Sequence, residues 1–285
     1  MKQKRRRIRG SFGWFFFVLP SLIGVAVFVL VPFADVIRRS FAETMSGTPV
    51  GLCNYQTVFA NRAFQQASYN TIRFVLICMP ALLLLSLLVA LILHGQPERS
   101  GLFKTTFLLP MAVPVASVVL LWKALFHQNG LLSSFMVSVG AQPQDWMKTG
   151  WAFWVLVFSY IWKNLGYDMI LWLAGLAGIS PSLYEAAQVD GAGRLRCFTA
   201  ITLPNLLPTL YTITVLSFLN SFKVFREAYL VAGDYPHSSM YMLQHLFNNW
   251  FADLDMDKLC AAAVVVGFVI FLLILLLRRA WEKDI

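Results

Sequence analysis

The chain has 285 residues, of which 58% are hydrophobic and 13% charged, and its formal net charge is +9. Soluble domains contain about 25% charged residues, so this composition excludes a single soluble core and indicates an integral membrane protein. The positive charge is concentrated in the N-terminal run MKQKRRRIR, which is typical of a topology signal at anionic headgroups rather than of a nucleic-acid-binding surface.

Six segments are long and apolar enough to cross a bilayer, which requires about 20 mostly apolar residues. The predicted spans are 12–33, 72–93, 105–126, 151–173, 205–221 and 259–277. The apolar run of the first is longer than that of a signal peptide, so we predict an uncleaved helix. The predicted fold class is therefore an all-α polytopic membrane protein with six transmembrane helices.

Orientation follows from the lysines and arginines near the helix ends, because cytoplasmic loops are enriched in them. The short segments before helix one, between helices two and three, between four and five, and after six are densely basic. We therefore expect both termini, 1–11 and 280–285, to lie in the cytoplasm. The longer segments, 34–69, 127–150 and 222–258, should lie outside.

One charged segment, 180–204, stands between two of the apolar spans. Ser180 and Pro181 predict a helix start, and Ser182 with Glu185 fits a capping box. Leu183, Ala186, Ala187 and Asp190 share one face of this helix, and the small side chains would let another surface approach closely.

Gly191 is predicted to end that helix, and a second short helix should begin near Arg194. The second helix is expected to bury Leu195, Phe198 and Thr202 and to end at Leu203–Pro204, where the chain re-enters the membrane. From the residues alone, the helix–glycine–helix segment fits equally a contact for a partner protein or an amphipathic loop packed under its own bundle.

Polar side chains recur along the faces of helices four and five. An ionised group inside a membrane helix costs about 2.5–3.5 kcal/mol, so it should face other helices or water. The candidate path residues are Tyr160, Lys163, Asn164, Tyr167 and Asp168 in helix four, and Thr214, Ser217, Asn220 and Ser221 in helix five. They would line a hydrophilic path or, alternatively, hold the helices together through hydrogen bonds.

The chain carries no recognisable catalytic machinery. The string GQPERSGLFKT resembles a phosphate-binding loop only loosely, with Leu102 where a lysine is required. The cysteines and histidines are scattered without metal-ligand spacing, and no Ser/His/Asp set stands out. We therefore expect no catalytic, cofactor-binding or metal site, and the energy for any transport must come from elsewhere.

The segment Glu185-Ala186-Ala187, three residues, Asp190-Gly191-Ala192, followed by a Leu-Pro pair, resembles the EAA loop of ABC importer permeases. The resemblance extends to NYQTVFANRAFQQASYNTIRF, to FKTTFLLPMAVPVASVVLLWKALF and to SFKVFREAYLVAGDYPHSSMYMLQHLFNNWF, which are similar to carbohydrate-type permeases related to the maltose and glycerol-3-phosphate importers.

That resemblance implies an ABC type I importer transmembrane domain with a permease core at 70–279 and a cytoplasmic coupling loop at 180–204. It implies that the loop contacts a separate ATPase, and the residues carried over are Glu185, Ala186, Ala187, Asp190, Gly191 and Ala192. The implied partners are a second permease subunit in a heterodimer, two ABC ATPase subunits and an extracytoplasmic solute-binding protein. The implied cargo is a sugar or sugar-like solute, taken into the cytoplasm of a bacterium or archaeon across its cytoplasmic membrane.

Three other interpretations remain open at this point. The cargo could instead be an amino acid, a peptide or a phosphate ester. The chain could be a stand-alone secondary transporter that uses the region of Lys163 and Asp168 for ion coupling. A membrane-embedded enzyme is disfavoured by the missing catalytic set.

Overall fold

The computed structural model describes residues 13–96 and 100–282. These residues form helices joined by loops, with one isolated antiparallel bridge between Ala42 and Pro49. The all-α fold class is thereby confirmed for the described residues. The basic segment predicted at 1–11 and the last three residues of the predicted tail lie outside them.

The α-helices are numbered in chain order. They are α1 (Gly13–Val25), α2 (Val31–Ser40), α3 (Cys53–Ala60), α4 (Arg62–His94), α5 (Ser100–Ala112), α6 (Val115–Phe126), α7 (Leu131–Ser138), α8 (Ala152–Ala177), α9 (Pro181–Val189), α10 (Arg194–Cys197), α11 (Leu203–Ser221), α12 (Phe225–Ala232), α13 (Leu243–Ala252) and α14 (Met256–Glu282). Single π-helical turns, Ala26–Leu30 and Phe198–Thr202, connect α1 to α2 and α10 to α11.

Five helical stretches within the described residues are long and apolar enough to cross a membrane. They are Phe17–Ser40, Arg62–His94, Val115–Ser138, Arg194–Leu230 and Met256–Arg279. A sixth arises if α8 and α9, which meet at a bend of 64°, are counted as one broken span. The prediction of a polytopic helical protein is confirmed.

The segment predicted as one helix at 105–126 is divided into two. Helix α5 ends at Ala112, and α6 begins at Val115 after Pro114, whose ψ of 143° is extended. Proline has no N–H to donate and disfavours helical geometry in the residue before it, here Val113. The break therefore falls at Pro114, the second proline of this segment.

The described residues divide into two compact units, and the larger comprises residues 61–252 and 270–282. Its core lies around α8, which packs against α4, α5 and α11. The indole of Trp172 donates a hydrogen bond to Ser86 Oγ (3.0 Å), which links α8 to α4 within this core.

A close backbone approach occurs between α8 and α5 at Gly166. A Cβ atom there would overlap the carbonyl group of Phe107. Glycine and other small residues allow membrane helices to approach in this way, so Gly166 sets the spacing of the two helices.

The smaller unit comprises the described residues up to Ala60 and 253–269. The Ser40 and Tyr55 hydroxyls lie 2.7 Å apart, and Asp257 Oδ1 accepts a hydrogen bond from the backbone of Thr44 (2.8 Å). The apolar side chains of the Phe17–Ser40 stretch are mostly exposed, as expected of a helix that contacts lipid or another membrane helix.

Candidate functional site

The first candidate site is the segment 181–202, named here the hook. It consists of α9, a four-residue turn, α10 and the π-helical turn Phe198–Thr202. Pro181 occupies the first turn of α9, where its missing N–H leaves no bond unmade. The hook is joined at one end to α8 and at the other to α11.

The turn of the hook is a Schellman motif, the commonest way to end a helix with glycine. The backbone N–H of Ala192 donates to Ala187 O (2.8 Å), and that of Gly191 donates to Gln188 O (3.0 Å). Gly191 has φ +76°, a conformation that costs other residues strain. The prediction that Gly191 ends the helix is confirmed.

The two arms of the hook are tied together by hydroxyl groups. Tyr184 Oη of α9 and Thr202 Oγ1 of the π-helical turn lie 2.9 Å apart. Thr202 is buried and Tyr184 is half-buried. The contact fixes the angle between the arms at a point distant from Gly191.

The outer surface of the hook combines apolar and charged side chains. Leu183, Val189 and Leu195 are 44%, 88% and 78% exposed. Glu185 and Asp190 are also exposed, and within the described chain neither side chain has an ion-pair partner. Such a surface is unusual for a loop packed under its own bundle and is suited to a protein contact.

Three sequence predictions about the hook were wrong. Leu195 is exposed rather than buried, and the π-helical turn Phe198–Thr202 adds a residue between Leu195 and Thr202, so the two no longer share a face. The capping box of Ser182 and Glu185 is absent, because the N-cap of α9 is Ser180 and Ser182 lies inside the helix; Ser180 makes no side-chain capping bond either. The helix does not end at Leu203–Pro204 but continues as α11. Pro204 is tolerated because it follows the π-helical turn, where the regular i to i−4 backbone hydrogen bonds are already interrupted.

The second candidate site is a cavity of about 160 Å³, named here the polar cavity. Helix α8 and the region where α11 gives way to α12 supply most of its polar lining. The lining residues are Met111, Val115, Ser159, Tyr160, Lys163, Asn164, Asn220, Val224, Arg226 and Glu227. Four predicted path residues thus line one cavity: Tyr160, Lys163, Asn164 and Asn220.

A buried ion pair dominates the polar cavity. Lys163 Nζ lies 2.6 Å from Glu227 Oε1, and the two side chains are 19% and 8% exposed. The ion-pair partner of Lys163 is thus Glu227 of α12, not Asp168 of its own helix. Asn164 Nδ2 donates to Tyr160 O (2.8 Å), and Tyr160 Oη donates to Ser217 O (2.6 Å).

The remaining predicted path residues do not line this cavity. Ser217 Oγ donates to Asp168 Oδ2 (2.7 Å), and Asp168 is fully buried between α8 and α11. Thr214 and Ser221 donate to carbonyl groups of their own helix, at Leu210 (2.7 Å) and Phe218 (2.6 Å). Tyr167 is half-buried and is also not among the lining residues.

Sequence reasoning missed Arg226 and Glu227 as cavity residues, because both fall in a segment predicted to be an external loop. The chain instead turns through a 3₁₀ segment, Phe222–Val224, and α12 packs against α6. The available signal was the adjacent charged pair Arg226 and Glu227 in the otherwise mostly apolar stretch FREAYLVA, since charged residues at membrane depth require partners.

A larger cavity of about 610 Å³, named here the outer cavity, lies near the other ends of α6 and α12. Its lining residues are Lys123, His127, Asp145, Met147, Lys148, Ala232, Tyr235, Pro236 and His237. Lys148 pairs with Asp145 (3.5 Å). The two cavities therefore follow one another along the same pair of helices.

The residues that the structure describes contain no group of three or more His, Cys, Asp or Glu side chains placed to hold a metal ion. The cysteines at 53, 78, 197 and 260 are unpaired.

The fold, the hook and the cavities together define a multi-pass membrane transport protein. The chain belongs to the family of binding-protein-dependent transport system inner membrane components, which it matches over residues 47–282. It is accordingly the membrane-spanning permease subunit of an ABC importer. The family is non-catalytic, and the ATPase of such an importer is a partner.

Full-length relatives support this assignment. The chain is 28% identical over 294 residues to the sn-glycerol-3-phosphate transport system permease protein UgpA of Escherichia coli, with 100% of this chain and 99% of that protein covered. It is 30% identical over 261 residues to the trehalose/maltose transport system permease protein MalF of Thermococcus litoralis, with 90% and 88% covered. The sulfoquinovosyl glycerol transport system permease protein SmoG of Agrobacterium fabrum is also 30% identical, with 87% and 83% covered.

Solved structures support the fold. A bacterial ABC transporter involved in the import of the acidic polysaccharide alginate contains a chain that matches with a TM-score of 0.81 at 21% identity, covering 95% of this chain and 96% of that one. The alginate transporter in complex with an alginate pentasaccharide-bound periplasmic protein gives the same TM-score at 22% identity, with 95% and 94% covered.

Proposed function

We propose that the protein is the permease subunit of an ATP-driven importer for a sugar or sugar-like solute. The relatives named for glycerol 3-phosphate, for trehalose and maltose, and for sulfoquinovosyl glycerol all handle polyhydroxylated solutes, which supports this cargo class. Hydroxyl groups require hydrogen-bonding side chains, and Tyr160, Asn164 and Asn220 line the polar cavity.

The observation that carries the proposal is the connection between the hook and the polar cavity. Helix α8 contributes Lys163 and Asn164 to the cavity and continues through a bend into α9. On the other arm, α10 continues through the π-helical turn into α11, which contributes Asn220. A displacement of the hook is therefore applied directly to two helices that line the cavity.

The proposed contact with the ATPase is formed by the hook, and its residues are Glu185, Ala186, Ala187, Asp190, Gly191 and Ala192. The exposed Val189 and the small side chains beside it support a close apolar contact, with the charges at Glu185 and Asp190 at its edge. Closure of the ATPase subunits on ATP would move the hook, and hydrolysis would release it.

The proposed substrate path comprises the nine residues identified in the sequence, in two roles. Tyr160, Lys163, Asn164 and Asn220 line the polar cavity and would contact the solute. Tyr167, Asp168, Thr214, Ser217 and Ser221 would border the path in another conformation of the helices or hold α8 against α11. The bond between Asp168 and Ser217 supports the second role.

The proposed assembly contains a second permease subunit as a heterodimer, two ABC ATPase subunits and an extracytoplasmic solute-binding protein. The family description, which makes transport dependent on a binding protein, supports the last of these. The alginate transporter bound to a periplasmic protein provides a precedent in a chain of the same fold.

Uptake by proteoliposomes that contain the complete importer tests the proposal, with radiolabelled maltose and sn-glycerol 3-phosphate as solutes. Uptake of at least one solute should require ATP and the ATPase. Asn164→Leu should reduce this uptake while the ATPase still co-purifies, and Asn61→Ser, at the capping position of α4, is the matched control because serine also caps a helix. Uptake that needs no ATPase and collapses with an uncoupler would contradict the proposal and indicate ion coupling.

A further inference from the structure

The polar cavity contains one more positive charge than negative charges. Lys163 and Arg226 are cationic, and Glu227 is anionic. The ion pair of Lys163 with Glu227 cancels two of the three charges. The Arg226 side chain has no ion-pair partner within the part of the chain that the structure describes.

The polar cavity lies at a depth where an unpaired charge is rare, although the Arg226 side chain itself is exposed. Lys163 is the twelfth residue of the 26-residue helix α8, about 17 Å from its start. Since the apolar core of a bilayer is about 30 Å thick, the polar cavity lies near the middle of the membrane. An arginine that borders a cavity at this depth marks a functional site by default.

Glu227 adds a second, independent indication of a ligand. The residue is 6% exposed and lines the cavity, and Lys163 contacts only its Oε1 atom. Its other oxygen, Oε2, is buried and has no hydrogen-bond donor among the described residues. A buried carboxylate oxygen without a donor carries a large desolvation cost, which a hydroxyl group of a ligand would offset.

We propose that the polar cavity binds a polyol that carries an anionic substituent, with Arg226 contacting the anionic group and Glu227 Oε2 accepting a hydrogen bond from a hydroxyl. Lys163 is a positioning residue that holds Glu227 through Oε1 and leaves Oε2 for the ligand. This inference rests on the proposed function and narrows its cargo from sugars in general to acidic or phosphorylated ones.

Binding of matched sugar pairs to the complete importer in lipid nanodiscs, measured without ATP, tests the inference. The pairs are galacturonate with galactose and glucose 6-phosphate with glucose, so that carboxylate and phosphate recognition are read separately. We expect at least one anionic member to bind more tightly than its neutral counterpart. Equal or tighter binding of both neutral members, or no binding of either anion, would overturn the inference.

The role of Arg226 is tested by a single variant, and those of Lys163 and Glu227 by a double variant. Arg226→Gln should weaken binding of the anionic member by about tenfold or more and leave the neutral member unchanged, because a charge-assisted contact is lost. Arg62→Gln is the matched control, since Arg62 is exposed at the start of α4 and lines neither cavity. An unchanged ratio of anionic to neutral affinity in Arg226→Gln would refute the role of Arg226.

The double variant Lys163→Met/Glu227→Leu removes the ion pair without leaving a buried charge unpaired, a change that proteins often tolerate. It should lower the affinity for both members of a pair and retain the preference for the anion. Loss of that preference would contradict the division of roles. Because binding is measured without ATP, failure here is distinct from failure of ATP-driven uptake, which tests the proposed function.

Discussion

Tyr184 and Thr202 join the two arms of the hook through hydroxyl oxygens 2.9 Å apart. Tyr184→Phe removes one partner of this bond, which is worth about 1 kcal/mol. We expect the ATPase to remain bound and the amount of solute imported per ATP hydrolysed to fall severalfold, because the arms no longer move together. Tyr69→Phe, at an exposed tyrosine of α4, is the control. Unchanged stoichiometry in Tyr184→Phe would show that the bond has no part in coupling.

Gly191 and Gly193 provide a matched pair within one turn. Alanine at Gly191 would meet no atom within 4 Å but would be held at φ +76°, at a cost of about 1–2 kcal/mol. Gly193 has an equally open environment and an ordinary φ of −71°. Gly191→Ala should therefore reduce ATP-driven uptake and ATPase co-purification, whereas Gly193→Ala should reduce neither. Similar behaviour of the two variants would argue against a required turn geometry.

Gly166 should be intolerant of any side chain. A methyl group there would overlap the Phe107 carbonyl, so Gly166→Ala must push α5 away from α8, at a cost of about 1–3 kcal/mol. We expect a lower melting temperature and poor recovery of the assembled importer. Gly150→Ala, where no atom lies within 4 Å, should be neutral. A stable, active Gly166→Ala importer would contradict the close approach of the two helices.

The hydrogen bond from Ser217 to Asp168 should persist when the carboxylate of Asp168 is replaced by a neutral amide. Asp168→Asn keeps a side-chain oxygen for the Ser217 hydroxyl and removes a buried charge, so folding and ATPase binding should be retained. Ser217→Ala leaves the carboxylate without its donor and should destabilise the subunit by about 1–3 kcal/mol. Thermal unfolding of the purified complex measures both. A larger loss in Asp168→Asn than in Ser217→Ala would indicate that the charge itself is needed.

His245 should make the stability of the subunit depend on pH. Burial lowers the pKa of this fully buried imidazole in α13 from 6.5 to about 4. The imidazole is therefore protonated near pH 6.5 in the unfolded chain but only near pH 4 in the native state. Because protonation in this window favours the unfolded chain, the free energy of unfolding falls by about 3 kcal/mol as the pH drops from 6.5 to 4.

The variant His245→Gln cannot titrate, and its stability should change less between pH 7 and pH 4 than that of the unmodified protein. His94→Gln, at the exposed end of α4, is the control. Parallel pH profiles of the unmodified protein and His245→Gln, measured by thermal unfolding, would assign the acid sensitivity to other groups.

Much of the fold is readable from the sequence, because spans are long and their apolar composition is a strong local signal. The hook was also predictable, since Gly191 and the spacing around it act over a few residues. The separation of Leu195 from the face of Thr202 was not predictable, because the π-helical turn between them leaves no mark in composition.

The sequence predicted only part of the lining of the polar cavity. The stripe on α8 pointed to Lys163 and Asn164, yet the partner of Lys163 lies 64 residues later in a segment that resembles a loop. Pairing between distant segments depends on how α12 packs on α6, and no local pattern encodes that contact. The same limitation applies to Asp168, whose place in the stripe did not reveal that Ser217 holds it away from the cavity.

Helix α8 meets the hook at a bend of 64° and can transmit a displacement of the hook to the polar cavity. From Asn164 to the end of α8 at Ala177 is thirteen residues, a stiff rod of about 20 Å. A tilt of about ten degrees about the hook end of such a rod displaces its far end by about 3.5 Å, which exceeds the length of one hydrogen bond. A small push on the hook is thus large enough to move Asn164, together with the Tyr160 carbonyl it bonds on the same helix, relative to the cavity residues of α11 and α12.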